Sequence, residues 1–64
     1  INKNVVINNI IKFSNLLCRG GQLIISGFFL NDYDDIDNKA SSVNFRLKSK
    51  KVKNKWLSIH YMKV

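Results

Sequence analysis

Sixty-four residues make at most one small domain, and a chain of that length hides only about 60% of the surface its unfolded form exposes. A lone Cys18 excludes an internal disulfide, one His with one Cys makes no zinc site, and no apolar run approaches the roughly 20 residues that cross a bilayer as a helix. The net charge of +7 raises nucleic acid or an anionic surface as a partner, but Asn, Lys and Ile supply 9, 9 and 8 residues, an AT-rich codon bias that makes lysine partly a mutational default.

From Asn2 to Leu17 the apolar residues Val6, Ile10, Phe13 and Leu17 recur at helical spacing, and Ile7, Ile11 and Leu16 widen the stripe. The pattern predicts an amphipathic helix. Asn2 or Asn4 can cap its free N–H groups, Arg19 suits the negative end of the helix dipole, and Gly20 can close the helix in the left-handed conformation. Gln22 to about Phe29 is a short apolar and β-branched run, which predicts a buried, parallel strand with a bend or close approach at Gly27.

A second helix is expected from about Asp32 to Val43, capped by Asn31 with Asp34 reaching back. All four acidic residues, Asp32, Asp34, Asp35 and Asp37, fall in its first turns, where the dipole favours negative charge. Tyr33, Ile36, Ala40 and Val43 form its apolar face. Two strands complete the chain. One carries Phe45 and Leu47 alternating with Arg46 and Lys48; the other runs from Trp56 to Val64 after a polar turn at Lys53-Asn54-Lys55. The lysine-rich strand should lie at an edge and the last strand inside the sheet, because lysines blunt unpaired edges. The expected fold is α/β, with two helices over one face of a three-stranded mixed sheet. The absence of cysteine pairs fits a reducing, cytoplasmic setting.

No catalytic or ligand constellation stands out in this pattern. The order of its landmarks, however, resembles the C-terminal part of the methyltransferase family that modifies protein eleven of the large ribosomal subunit. The landmarks are Ile1-Asn2-Lys3-Asn4, Leu16-Leu17 before Gly20-Gly21, Ser26-Gly27-Phe28, and Lys53-Asn54-Lys55-Trp56. The chain departs from the family pattern at Cys18-Arg19, where Lys-Pro is usual, and at Asn44, which stands where a Gly commonly precedes the aromatic.

The resemblance implies a fragment, residues 1–64, from the end of a Rossmann-like, S-adenosylmethionine-dependent catalytic domain: helix, strand, helix and antiparallel strand pair. It also implies that the cofactor-binding half lies upstream and that the last strand is interior. The intact protein would methylate lysine or N-terminal amines of a ribosomal protein, and the fragment alone would bind no cofactor and be inactive.

The candidate substrate-binding residues are Asn2, Asn4, Ser26, Gly27 and Phe28, with Phe29 beside them, all expected on the carboxyl-end rim where open α/β sheets place ligands. Capping by the asparagines, a simple strand bend, and aromatic core packing are the plainer alternatives. Lys48, Lys50, Lys51, Lys53 and Lys55 form a basic cluster that can meet RNA or simply solvate an edge hairpin. His60 has no partner in sequence for catalysis, Cys18 no resolving thiol, and Trp56 reads as a sheet anchor. Two other functions fit the same pattern: a small basic α/β RNA-binding module, or a methyltransferase of this fold acting on another substrate.

Overall fold

The computed structural model describes residues 2–64; Ile1, part of the first landmark, lies outside the described residues. Helix α1 (Lys3–Leu16) leads into strand β1 (Gln22–Phe29), a single 3₁₀ turn (Leu30–Asp32), helix α2 (Tyr33–Ser42), and strands β2 (Phe45–Lys53) and β3 (Trp56–Lys63). The strands form one sheet in the order β1-β3-β2, and both pairings are antiparallel. The expected parallel strand is therefore not met within this chain, since β1 pairs only with β3 among the described residues. Continuous apolar sequence signals burial, which a strand can gain in either orientation. The interior position of β3 and the edge position of β2 agree with expectation.

Both helices pack on one face of the sheet. Val6 and Ile10 of α1 and Ile36 and Ala40 of α2 are buried against Ile25, Phe28, Phe45, Leu57, Ile59 and Tyr61 of the strands. Full burial of an aliphatic side chain is worth about 1.5–3 kcal/mol, so this single layer of contacts is the main source of stability. The other face is open, with Ile24 exposed at 68% and Trp56 at 51%.

Two local expectations are corrected. Helix α1 does not end on Gly20: its C-cap is Leu17 in an extended conformation, and Gly20 (φ +88°) serves a separate turn closed by the Gly21 N–H on the Cys18 carbonyl at 2.8 Å. A positive φ at the third position of a turn is what type II geometry demands of Gly. Gly21 is needed for space, because a Cβ there would sit 2.9 Å from the Cys18 oxygen. Nor does Asn31 cap α2. The chain winds directly from β1 into the 3₁₀ turn, which places Asn31 inside it, and the Asp32 carboxylate accepts from the Phe29 N–H at 3.3 Å instead.

The base of the sheet is closely stitched. Buried Ser14 donates its hydroxyl to the Val43 carbonyl at 2.6 Å. The Lys63 ammonium donates to the carbonyls of Ser14 and, at 3.2 Å, Leu17, filling the C-terminal end of α1 with positive charge. Backbone bonds of 2.8 Å join Gly20 and Gly21 to Lys63, and Val64 to Asn44. Asn44 takes the left-handed conformation (φ 71°), as its place in the pattern required.

Candidate functional site

The opposite end of the sheet holds a cleft of about 330 Å³ lined by Asn2, Lys3, Asn4, Gly27, Phe28, Phe29, Asp32 and Trp56. Three local events build it. Asn2 begins α1, its side chain accepting from the Val5 N–H at 3.0 Å, so this oxygen is engaged in capping. Gly27, at φ +93°, is the extra residue of a β-bulge where the β1–β3 register slips between Ser26 and Phe28. A bulge re-aims the side chains that follow it: Phe28 turns into the core at 1% exposure, and Phe29 stays outside at 54%.

The restored register then sets Phe29 opposite Trp56. Their rings stack with centroids 4.7 Å apart and planes 23° from parallel, an offset aromatic contact with one side open. The 3₁₀ turn brings Asp32 to the rim, and the Leu30 N–H donates to the Lys55 carbonyl at 3.2 Å, fastening this turn to the β2–β3 turn.

Charge at the rim is paired. The Lys3 ammonium reaches Asp35 at 3.0 Å, and this hydrogen bond, with the attraction of the carboxylate, raises the lysine above its usual pKa. Behind the rim, the Tyr61 hydroxyl donates to Asp37 at 2.9 Å. Burial, reinforced by that acceptor, pushes the Tyr61 phenol well above the ordinary tyrosine range; burial and the neighbouring Asp37 do the same, more weakly, for Tyr33. Both phenols are neutral hydrogen-bonding groups at physiological pH.

Four of the five candidate residues, Asn2, Asn4, Gly27 and Phe28, thus meet in one cleft. Ser26 does not: it is exposed on the open face of the sheet, paired in register with Ser58. Trp56 and Asp32 belong to the cleft but were not singled out for it. Trp56 arrives through strand register over a long sequence separation, and Asp32 through a 3₁₀ turn hidden in a helical pattern. His60 is half-buried on the open face, bonded to the Gln22 side chain. Cys18 is exposed and free. Among the described residues no helix is long and apolar enough to cross a membrane, and no three potential ligands gather around a metal position.

No family model matches the sequence. No curated protein matches it either. The fold is that of a methylase segment: along 98% of its length this chain is similar to a solved structure, with a TM-score of 0.92. That structure is the ribosomal protein L11 methylase from Lactobacillus delbrueckii subsp. bulgaricus, of which the chain covers 33%, at 19% sequence identity. At this identity the likeness shows the fold alone, and the fold is the one to which the landmarks pointed.

Proposed function

We propose that this chain is the C-terminal portion of the catalytic domain of a Rossmann-like, S-adenosylmethionine-dependent methyltransferase acting on lysine or N-terminal amines of a large-subunit ribosomal protein in the cytoplasm. The observation that carries the reading is the agreement between the landmark order in sequence and a superposition spanning 98% of the chain. The cleft supports it. It opens at the carboxyl end of β1, the end at which α/β sheets take their ligands.

The residues present do not fit a cofactor cradle. Gly20 and Gly21 lie at the amino end of β1, away from the cleft, and are used for a turn and for clearance; Gly27 is used for a bulge. S-adenosylmethionine, which supplies an electrophilic methyl group, is therefore assigned to sequence upstream of this segment. This chain contributes one wall. The stacked Phe29 and Trp56 offer an apolar surface to the aliphatic stem of a substrate amine, and Asn4 and Asp32 stand as polar groups at the mouth. Holding an amine in line for transfer is a positioning task, which accounts for much of the acceleration in such reactions.

The test is to incubate the full-length gene product with methyl-labelled S-adenosylmethionine and the separated large-subunit components. Label in a ribosomal protein is expected; label in RNA alone would overturn the assigned substrate. Calorimetry of the 64-residue chain with the same cofactor should show no heat of binding, and a saturable isotherm would overturn the division of labour.

A further inference from the structure

We propose that the β2–β3 hairpin is a docking surface for single-stranded nucleic acid. Seven cations lie on it; Lys63 is turned to the end of α1, and the other six, Arg46, Lys48, Lys50, Lys51, Lys53 and Lys55, are all exposed. Among the described residues none of them meets a carboxylate, the one ion pair being Lys3–Asp35. The four aspartates are confined to residues 32–37, and residues 45–64 contain no acidic side chain. Blunting the edge against strand addition accounts for one or two lysines. It does not account for a whole hairpin without a balancing carboxylate.

Their arrangement narrows the ligand. A bulge at Lys48, between Leu47 and Ser49, resets the alternation of β2. After it, Lys51 and Lys53 pair with Ser58 and Trp56 on the open face, while Lys50 turns to the helix side and sits 3.8 Å from the Tyr33 ring centroid. One two-residue step sets Lys51 and Lys53 roughly 6.7 Å apart, and Arg46, opposite Met62, stands farther along the same face, a line of three cations able to follow a phosphodiester chain.

Trp56, half-exposed with one ring face stacked on Phe29 and the other open, stands beside Lys53 on the same face. A row of cations next to an exposed aromatic face is the combination single-stranded nucleic acid binders use, phosphates on the cations and bases stacked on the ring. An acidic polypeptide would satisfy the lysines but has no base to lay on the indole. Because β2 is the edge remote from β1, strands that add to β1 leave the hairpin edge free. The inference does not rest on the methyl-transfer reading.

The experiment is fluorescence anisotropy of the full-length gene product with a labelled oligouridylate of about 12 nucleotides, within the range of known single-strand site sizes. Binding is expected to weaken with salt at a log–log slope near −3, the value for about four phosphate contacts to a single strand. Lys51→Glu combined with Lys53→Glu should weaken it about tenfold or more, and Trp56→Ala about 5- to 100-fold.

Lys12→Glu combined with Lys39→Glu, on the exposed helix surfaces, should change it less than about twofold. Equal weakening by the helix and hairpin reversals would reduce the effect to net charge and overturn the proposal. So would tighter binding of polyaspartate than of the oligonucleotide, which would point to an acidic protein partner, or no saturable binding at low salt. Circular dichroism confirms folding of each variant. The lysine pair, wholly on the surface, decides the matter if Trp56→Ala unfolds.

Discussion

The two ends of the sheet are built on opposite principles. At the base, hydrogen bonds of Ser14 with Val43, of Lys63 with Leu17, Gly20 and Gly21, and of Val64 with Asn44 tie α1, β1, β3 and the end of α2 together. At the rim, Asn2, Asn4, Gly27, Phe29, Asp32 and Trp56 surround a cleft, and two large aromatic rings are left half in water. Stability resides at one end and an open cleft at the other. A marginal domain can leave its rim open because the base holds the register that the rim inherits.

The contrast breaks most sharply at Lys63. Replacing it in Lys63→Met keeps the stem but strips two helix carbonyls of a charged donor, and such bonds are worth roughly 1.5–3 kcal/mol each. We expect a loss of about 2 kcal/mol in urea denaturation, enough to unfold much of the population of so small a domain. Ser14→Ala should follow at about 1–2 kcal/mol, since it leaves the Val43 carbonyl without its buried donor. By contrast Trp56→Ala at the rim should cost about 1 kcal/mol of stability, the worth of an exposed aromatic pair. A rim substitution that destabilised more than Lys63→Met would erase the distinction.

Alkaline titration sharpens the comparison. The folded-state pKa of Tyr61 lies above its unfolded value near 10.0, so the native state holds its proton where the unfolded chain releases it. Its contribution is complete below that pH and is lost as pH rises beyond it, with the slope of one titrating proton. Lys3, raised by Asp35, loses its smaller contribution in the same direction. Tyr61→Phe should flatten the alkaline limb of a stability–pH profile; an unchanged limb would show that the buried phenol is not its source.

How far the sequence revealed this depended on the range of the interaction. Helical periodicity, the edge lysines, the interior last strand, the Asn2 cap and the left-handed Asn44 all follow from local chemistry and are found as expected. The three-stranded sheet is antiparallel throughout where a mixed one is expected, because an apolar run reports burial and carries no direction. Gly20 was misplaced by three residues because a helix stop and a turn use the same residue for the same φ preference. In the cleft, Asn2, Asn4, Gly27 and Phe28 were legible as residues of one rim. Trp56 was not, because its place depends on a bulge 29 residues earlier at Gly27 and on pairing across two strands.

The smallest effect tests the link between the ends of the hairpin and the cleft. Asn54 and Lys55 both have positive φ, 52° and 69°, which makes the β2–β3 connection a two-residue turn of the kind that favours Asn-Gly. Asn tolerates this region; Lys does so at a cost of about 1–2 kcal/mol, partly offset because Gly loses more chain entropy on folding. Lys55→Gly should therefore stabilise the fold by up to about 1 kcal/mol. The Lys55 carbonyl that receives the Leu30 N–H belongs to the backbone and survives the change, so Trp56 and Asp32 keep their places at the rim. A stabilised variant with an undisturbed cleft would show that the fold does not need the lysine side chain at this strained position. Loss of stability would instead mean that its aliphatic stem packs against the turn.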